Sequence, residues 1–211
     1  MAQLKAFWDW FSEYQEAYYH LRGFPEDEQV YYFNELDRQL TVYHSSLTYV
    51  LHSPKDRLEA ELVLTANGNP DGMLFAINLI DVAPTIPNWV FTALVQPKIT
   101  DQDLMSKDHE HYKFMEFDLQ LSRVRWLPVD MNRETYKYEF VFHFIGLPYA
   151  NPEIPYEKYI DYLYIILVDM FGELFVSQHI EMVYYDHLYP NDMDWYSLHQ
   201  LREFLIEGHL D

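Results

Sequence analysis

Residues 57–97 constrain the fold more than any other stretch, because their pattern specifies a strand, a helix and a second strand in direct succession. Apolar residues alternate with other residues over 58–64, as they do in a strand with one buried face. Turn residues at 67–70 end this strand, and apolar residues then recur at helical spacing over 73–80. Alternation resumes over 89–95. The stretch therefore predicts a βαβ unit with a right-handed crossover, which identifies a scaffold and specifies no reaction.

Residues 1–45 predict a pair of helices that precedes this unit. Apolar residues follow one helical face over 7–21, and Gly23 and Pro25 favour the end of that helix. A second helix is predicted from an apolar face that consists of Val30, Phe33, Leu36, Leu40 and Tyr43. Because the connection is short, we expect the two helices to pack as antiparallel neighbours.

Further extended segments are predicted, most of them from alternation, at 47–51, 112–121, 124–129, 136–144 and 180–185. Residues 156–171 are almost continuously apolar and contain no Gly or Pro. They predict a long buried helix that ends near Gly172. A C-terminal helix is predicted over 195–205, with Asp192 or Asp194 as its N-cap.

These elements predict an α+β fold in a single domain that spans residues 1–211. We expect a mixed, mostly antiparallel sheet with one βαβ crossover, the helical pair of residues 1–45, a long helix packed on the sheet, and a C-terminal helix. With 211 residues, of which 49% are hydrophobic, the chain is large enough to bury a substantial core. Its 19 Tyr, 14 Phe and 5 Trp predict a core built largely from rings.

The charge balance of the chain limits its partners. There are 34 acidic and 14 basic residues, which give a formal net charge of −20. A surface so negative repels phosphate groups and anionic lipids, so we expect no nucleic-acid binding and no binding to a membrane surface. Two explanations stay open: the charge keeps an aromatic-rich chain in solution, or an acidic face docks on a basic protein partner.

The absence of cysteine excludes disulfides, thiolate metal sites and a catalytic cysteine. The first residues lack the continuous apolar core of a signal peptide, and the longest apolar stretch, 159–168, is too short to cross a bilayer. We therefore expect a cytoplasmic protein. Neither a dinucleotide-binding fingerprint nor a P-loop is present, and we expect no cofactor.

His109 and His111 lie in a charged segment, 100–111, that has no apolar period and is expected at the surface. In an extended chain residues i and i+2 face the same way, so the two imidazoles are candidates for sharing a metal ion. A zinc site needs three or four ligands, and the helical H-E-x-x-H arrangement is missing. A solvated histidine-rich loop is the alternative explanation.

His143 is the candidate for acid–base chemistry. It lies opposite the aromatic row of the predicted strand 136–144, while Asp118 and Glu116 lie opposite the apolar row of 112–121. On neighbouring strands these residues would form a His–carboxylate pair, in which the carboxylate fixes the tautomer of the imidazole and raises its pKa. Polar residues on an open sheet face are the alternative. No serine stands in a G-x-S-x-G elbow.

Three further carboxylates, Asp169, Glu173 and Asp186, flank the strand predicted at 180–185. They are candidates for lining a cleft. Capping of helix ends and solvation explain the same residues equally well.

Four segments, spread over most of the chain, resemble a family of bacterial proteins that carry a domain of unknown function. They are Phe7-Trp8-Asp9-Trp10-Phe11, Glu61-Leu62-Val63-Leu64-Thr65-Ala66-Asn67-Gly68, Ala83-Pro84-x-x-Pro87-x-Trp89 and Leu167-Val168-Asp169-Met170-Phe171-Gly172-Glu173. The resemblance implies the same order of elements and implies no activity or catalytic residue. At Phe171 the family pattern has Leu, which leaves the implied fold unchanged.

Two functional hypotheses remain. The first is a non-enzymatic, acidic, cytoplasmic binding or interaction protein of immunity-like or regulatory type, whose partner is a basic protein. The alternative is a small-molecule-binding protein or a hydrolase-type enzyme with a pocket between the sheet and the long helix, where His143, Asp118 and Glu116 would be the polar groups. The sequence leaves the oligomeric state open.

Overall fold

The computed structural model describes residues 2–54, 58–105, 112–114, 117–145, 154–186 and 194–207. The chain divides into two compact units, Met1–Val95 and Gln96–Asp211, and each has a sheet of its own. Helices and mixed sheets occur together, so the predicted α+β class is confirmed. The single domain expected over residues 1–211 stays a prediction.

The described part of the first unit contains three α-helices, a short 3₁₀ helix at Leu21–Gly23 and a three-stranded sheet in the order β1-β2-β3. Its elements are α1 (Ala2–Tyr19), α2 (Glu26–Tyr43), β1 (Thr48–His52), β2 (Ala60–Thr65), α3 (Pro70–Asp81) and β3 (Trp89–Ala93). The predicted helical pair is α1 and α2. Strand β1 pairs antiparallel with β2, and β2 pairs parallel with β3. The predicted βαβ unit is therefore confirmed, with α3 as its crossover helix.

The turn between β2 and α3 shows how local chemistry fixes this unit. Asn67 and Gly68 both have positive φ, 50° and 78°, which Asn and Gly tolerate better than other residues. Asn69 is the N-cap of α3, and its side chain accepts a hydrogen bond of 3.0 Å from the backbone N–H of Asp71. Pro70 follows at the first helical position, where its missing N–H has no cost.

Rings fill the core of the first unit, as the composition predicts. Phe11 is fully buried and meets the Trp89 ring edge-on at a centroid distance of 5.0 Å, while the Tyr18 ring stacks on it at 5.6 Å. The indole N–H of Trp8 donates to the carbonyl oxygen of Leu79 at 2.7 Å, so this buried polar group is paired.

The buried face of α2 differs from the predicted one. Leu36 and Leu40 are fully buried as expected, but Val30 and Phe33 are exposed. Tyr32, which the prediction left outside the apolar face, packs against the core instead. The core face is therefore rotated by a fraction of a turn, because the period alone allows either set of positions.

The second unit contains a two-stranded sheet and a four-stranded sheet. Its elements are α4 (Asp101–Met105), β4 (Tyr112–Phe114), β5 (Phe117–Leu119), β6 (Val124–Met131), β7 (Tyr138–Phe144), α5 (Tyr156–Phe171), α6 (Glu173–His179), β8 (Ile180–Tyr185), β9 (Tyr196–Ser197) and α7 (Gln200–Glu207). Strand β4 pairs with β5, and the larger sheet has the order β8-β7-β6-β9. Trp126, Phe140 and Phe142 are fully buried. The predicted long helix packs on this sheet, since the Tyr159 ring of α5 stacks on Tyr185 of β8 at 4.5 Å.

Strand pairing in the second unit departs from the prediction in three ways. The strands form separate sheets rather than one. The strand predicted over 112–121 is two short strands that pair antiparallel with each other. Strand β8 pairs parallel with β7, which makes a second crossover, through α5 and α6, that the sequence analysis missed. Alternation reports which residues share a strand face and leaves the strand's partner and direction open.

The C-terminal helix exists, but it begins later than predicted. Residues Tyr196–Ser197 form the short strand β9 on β6, and α7 begins at Gln200. Asp194 therefore precedes a strand and does not cap the helix, and Asp192 lies outside the described residues. The predicted end of the long helix is confirmed, because α5 stops before Gly172, whose φ of 84° is costly for other residues.

We expect Gly72→Ala to destabilise the first unit. A Cβ at Gly72 would lie 2.9 Å from Cβ of Ala66 and 3.1 Å from Cβ of Ser46, both fixed by the backbone. Overpacking of this kind costs about 1–3 kcal/mol in the free energy of unfolding, measured by urea denaturation.

Gly23→Ala is the matched control, because a Cβ there meets nothing within 4 Å. Its free energy of unfolding should stay within about 0.5 kcal/mol of the parent value. Equal effects of the two substitutions would contradict the packing described around Gly72.

Candidate functional site

His143 lies on β7 and is half-buried. Its Nδ1–H donates to the carbonyl oxygen of Asp186 at 2.9 Å, since a carbonyl only accepts. Across the sheet it stands in register with Arg125 of β6, and the Trp195 ring lies 6.0 Å from its own. The backbone and ring neighbours of His143 thus orient the imidazole.

Asp118 lies on β5, in the two-stranded sheet, whereas His143 belongs to the four-stranded sheet. The two residues are therefore not on neighbouring strands of one sheet, which is the arrangement that the prediction assumed. The reason is that the chain reverses within 112–121 and Asp118 pairs in register with Lys113. Glu116, the other proposed carboxylate, lies outside the described residues.

His109 and His111, the predicted metal candidates, also lie outside the described residues. Within the part of the chain that the structure describes, no three His, Asp or Glu side chains are grouped so that they could hold a metal ion.

Two of the acidic residues that flank β8 are deeply buried. Asp169 is 3% exposed and Glu173 is 1% exposed, so solvation does not account for either of them. Asp169 lies in the last turn of α5 and Glu173 in the first turn of α6, on either side of Gly172. Carboxylates are almost never buried without partners.

Asp169 is paired through both its side chain and its backbone. The Lys98 ammonium lies 2.9 Å from its carboxylate, and the Tyr112 hydroxyl donates to the same group. Its backbone carbonyl accepts from the N–H groups of Lys98 and Ile99, at 2.7 and 2.8 Å. One residue at the end of α5 therefore holds the start of the second unit through both side chain and backbone.

Burial and the Asp169 carboxylate together raise the pKa of Tyr112 far above its ordinary value of 10. The Tyr162 hydroxyl donates to the carbonyl of Tyr112 at 2.7 Å and extends the network. Because the Asp169 carboxylate accepts from both Lys98 and Tyr112, it links these two residues to the end of α5.

Two surface cavities lie in the first unit. One, of about 450 Å³, is lined by residues 19–20, 22–24 and Pro54, and the other, of about 400 Å³, is lined by residues of α1 with Val82 and Pro84. None of the acid–base candidates lines either of them. These cavities therefore give no support to a pocket that uses His143 and Asp118.

The α2 helix carries the densest exposed charge of the first unit. Glu26, Asp27 and Glu28 occupy its first turn, and all three are exposed. Asp37 is exposed six residues before the end of the same helix. Among the described residues none of these four carboxylates has a cationic partner, because Arg38, the one basic residue of α2, is paired with Glu35. We refer to Glu26, Asp27, Glu28 and Asp37 as the acidic surface of α2.

The N-terminus of the helix carries a partial positive charge of about half a unit, which stabilises the first three of these carboxylates. This partial charge is much smaller than their combined negative charge, so the surface stays strongly negative. Such a surface attracts cationic groups over roughly 10 Å at moderate ionic strength. The acidic surface of α2 is therefore the candidate binding site.

Comparison of the chain with known protein families, with curated proteins and with solved structures finds no match. Within the described ranges, none of the helices has both the length and the apolar character that a membrane crossing requires.

We expect Asp169→Asn to lower the free energy of unfolding by about 1–3 kcal/mol, because it removes the charge that pairs with Lys98 and replaces an acceptor by a donor inside the protein. Asp161→Asn on the exposed side of the same helix is the control, with an expected change of at most about 0.5 kcal/mol. Urea denaturation at neutral pH measures both. Equal stabilities would show that the Asp169 contacts contribute nothing.

Alkaline pH should unfold the protein through its buried tyrosines. Burial raises the pKa of Tyr164 to about 12, helped by Glu173, and burial raises the pKa values of Tyr18, Tyr49, Tyr112, Tyr162 and Tyr185 further. The folded state thus keeps these hydroxyls protonated, whereas the unfolded chain ionises near pH 10.

The stability from these groups is complete below about pH 10 and is lost as the pH rises toward their folded pKa values. We expect tyrosinate absorbance to rise in two phases, the second coincident with loss of helical circular dichroism. Ionisation of all 19 tyrosines with the helical signal intact would contradict their burial.

Proposed function

We propose that this chain is an acidic, non-enzymatic, cytoplasmic binding protein of immunity-like or regulatory type, whose partner is a basic protein. The observation that carries the proposal is the acidic surface of α2, where four exposed carboxylates lack cationic partners among the described residues. A basic partner would supply the missing charges and thereby gain affinity and association rate.

The overall charge supports the same conclusion. A formal net charge of −20 speeds encounter with a cationic partner and slows encounter with nucleic acid or anionic lipid. Among the described residues, the carboxylates of Asp9, Glu35 and Asp169 lie in ion pairs with Lys5, Arg38 and Lys98. The four carboxylates of the acidic surface of α2 are not among them and are therefore available to a partner.

We also propose that the chain belongs to the bacterial family that its motifs resemble. The support is the sequence itself, in Ala83-Pro84-x-x-Pro87-x-Trp89 and in the segment that ends at Glu173. The burial of Asp169 gives that last segment a physical role, because substitution of this residue would leave Lys98 and Tyr112 without their acceptor. The hydrolase alternative lacks such support, since Asp118 and His143 lie in separate sheets.

Neutralising the acidic surface of α2 should abolish capture of the partner. We expect the variant Glu26→Gln, Asp27→Asn, Glu28→Gln, Asp37→Asn to retain about a tenth or less of the basic protein that the parent retains from native lysate at low salt. Quantitative mass spectrometry of the retained proteins measures this. The parent itself should release the partner as salt is added.

A second variant controls for total charge. Glu134→Gln, Glu157→Gln, Asp161→Asn and Glu203→Gln change the charge by the same amount at exposed positions of the second unit. This variant should retain the partner within about twofold of the parent. Retention by the α2 variant, or equal loss from both variants, would count against the proposed site.

A further inference from the structure

We infer that one flank of α2, formed by Glu26, Val30, Phe33 and Asp37, docks an amphipathic basic helix of the partner. We call these four residues the α2 stripe. The inference rests on the proposed function and adds the chemistry and the geometry of what is bound.

The four residues of the α2 stripe follow one another at intervals of four, three and four positions. Residues at these intervals are neighbours along one side of an α-helix. The stripe therefore has a carboxylate at each end and two apolar side chains between them. With a rise of 1.5 Å per residue, its two carboxylates stand about 16 Å apart.

The apolar middle of the stripe is available for contact. Val30 is 49% exposed and Phe33 is 37% exposed, although both are large apolar side chains on a helix whose Leu36 and Leu40 are fully buried. The helix is also held in place at this point. The hydroxyl of Tyr49 on β1 donates to the carbonyl of Phe33 at 3.0 Å, which fixes the stripe before a partner arrives.

Charge distinguishes this flank from the opposite one. Tyr31 and Val42 on the other flank are even more exposed, at 60% and 64%, but Arg38 lies beside them and is bound to Glu35. A basic partner would meet that cation there, beside the carboxylates of Glu28 and Glu35. On the α2 stripe it would meet only carboxylates, which none of the described residues neutralises.

The occupant that fits is a helix with two cations about 11 positions apart and apolar residues between them on the same side. Laid along α2, such a helix places each cation at a carboxylate and covers Val30 and Phe33. Burial of the two apolar side chains supplies affinity, while the paired charges at the ends fix the register.

The test uses two synthetic peptides as probes and the full chain as receptor, with fluorescence anisotropy as the measurement. Both peptides are alanine-rich helices with the same composition of arginine and leucine. The spaced peptide has its arginines 11 positions apart with leucines between them on one side, and the clustered peptide has them four positions apart. We expect the spaced peptide to bind about tenfold more tightly, because only it reaches both carboxylates.

Matched substitutions on the two flanks locate the contact. Val30→Ser should weaken binding of the spaced peptide about fivefold, and Val42→Ser should change it by less than about twofold, although Val42 is the more exposed valine. Both positions are exposed on the same helix, so helical circular dichroism and thermal unfolding of each variant confirm that the fold is kept.

Equal affinities for the two peptides, or equal effects of the two valine substitutions, would overturn the inference. If either result came together with loss of the cellular partner from the neutralised α2 variant, the proposed function would stand without this docking mode. If the neutralised variant kept its cellular partner, the proposed function itself would fail. The experiments therefore distinguish failure of the docking mode from failure of the proposed function.

Discussion

The packing of the α1 rings against the parallel strand pair is the interaction on which the first unit depends. Phe11 lies between Trp89 of β3 and Tyr18, and all three rings are buried. The hydroxyl of Tyr18 then donates to the carbonyl of Tyr32, which ties α2 to α1. Because α2 is held through that bond and through Leu36 and Leu40, its remaining flank faces outward. The position of the candidate binding surface thus follows from ring packing in the core.

Much of the first unit could be predicted from sequence, because its information is local. The order β2–α3–β3 follows from a change of the apolar period, from two to about 3.6 and back, at turns that contain Pro and Gly. Strands β2 and β3 are parallel, as a βαβ unit requires.

The second unit was harder to predict from the sequence. Tyr112 and Phe114 fall on even positions while Phe117 and Leu119 fall on odd ones, and this change of phase marks the reversal of the chain. The parallel pairing of β7 with β8 depends on contacts distant in sequence, which alternation does not encode.

The candidate site illustrates the same division. The apolar period of α2 predicted the helix, but it also assigned Val30 and Phe33 to the core face, where the structure exposes them. The choice between the two helical faces is made by tertiary packing, here by Tyr32 and Leu36. Burial of Asp169 was equally invisible, since a carboxylate at the end of a helix has the same sequence signature whether it is solvated or paired. Asp169 can be buried because Lys98 and Tyr112, which are distant in sequence, pair with its carboxylate.

The contacts of Asp169 with Lys98 and Ile99 also determine where a fragment that contains the whole second unit must begin. A fragment that started after Ile99 would lack the ammonium that pairs with the buried Asp169 carboxylate and the two N–H groups that donate to the Asp169 carbonyl. Lys98 and Ile99, just before α4, therefore belong to the structural core of that half, and a boundary placed after Ile99 would remove these contacts.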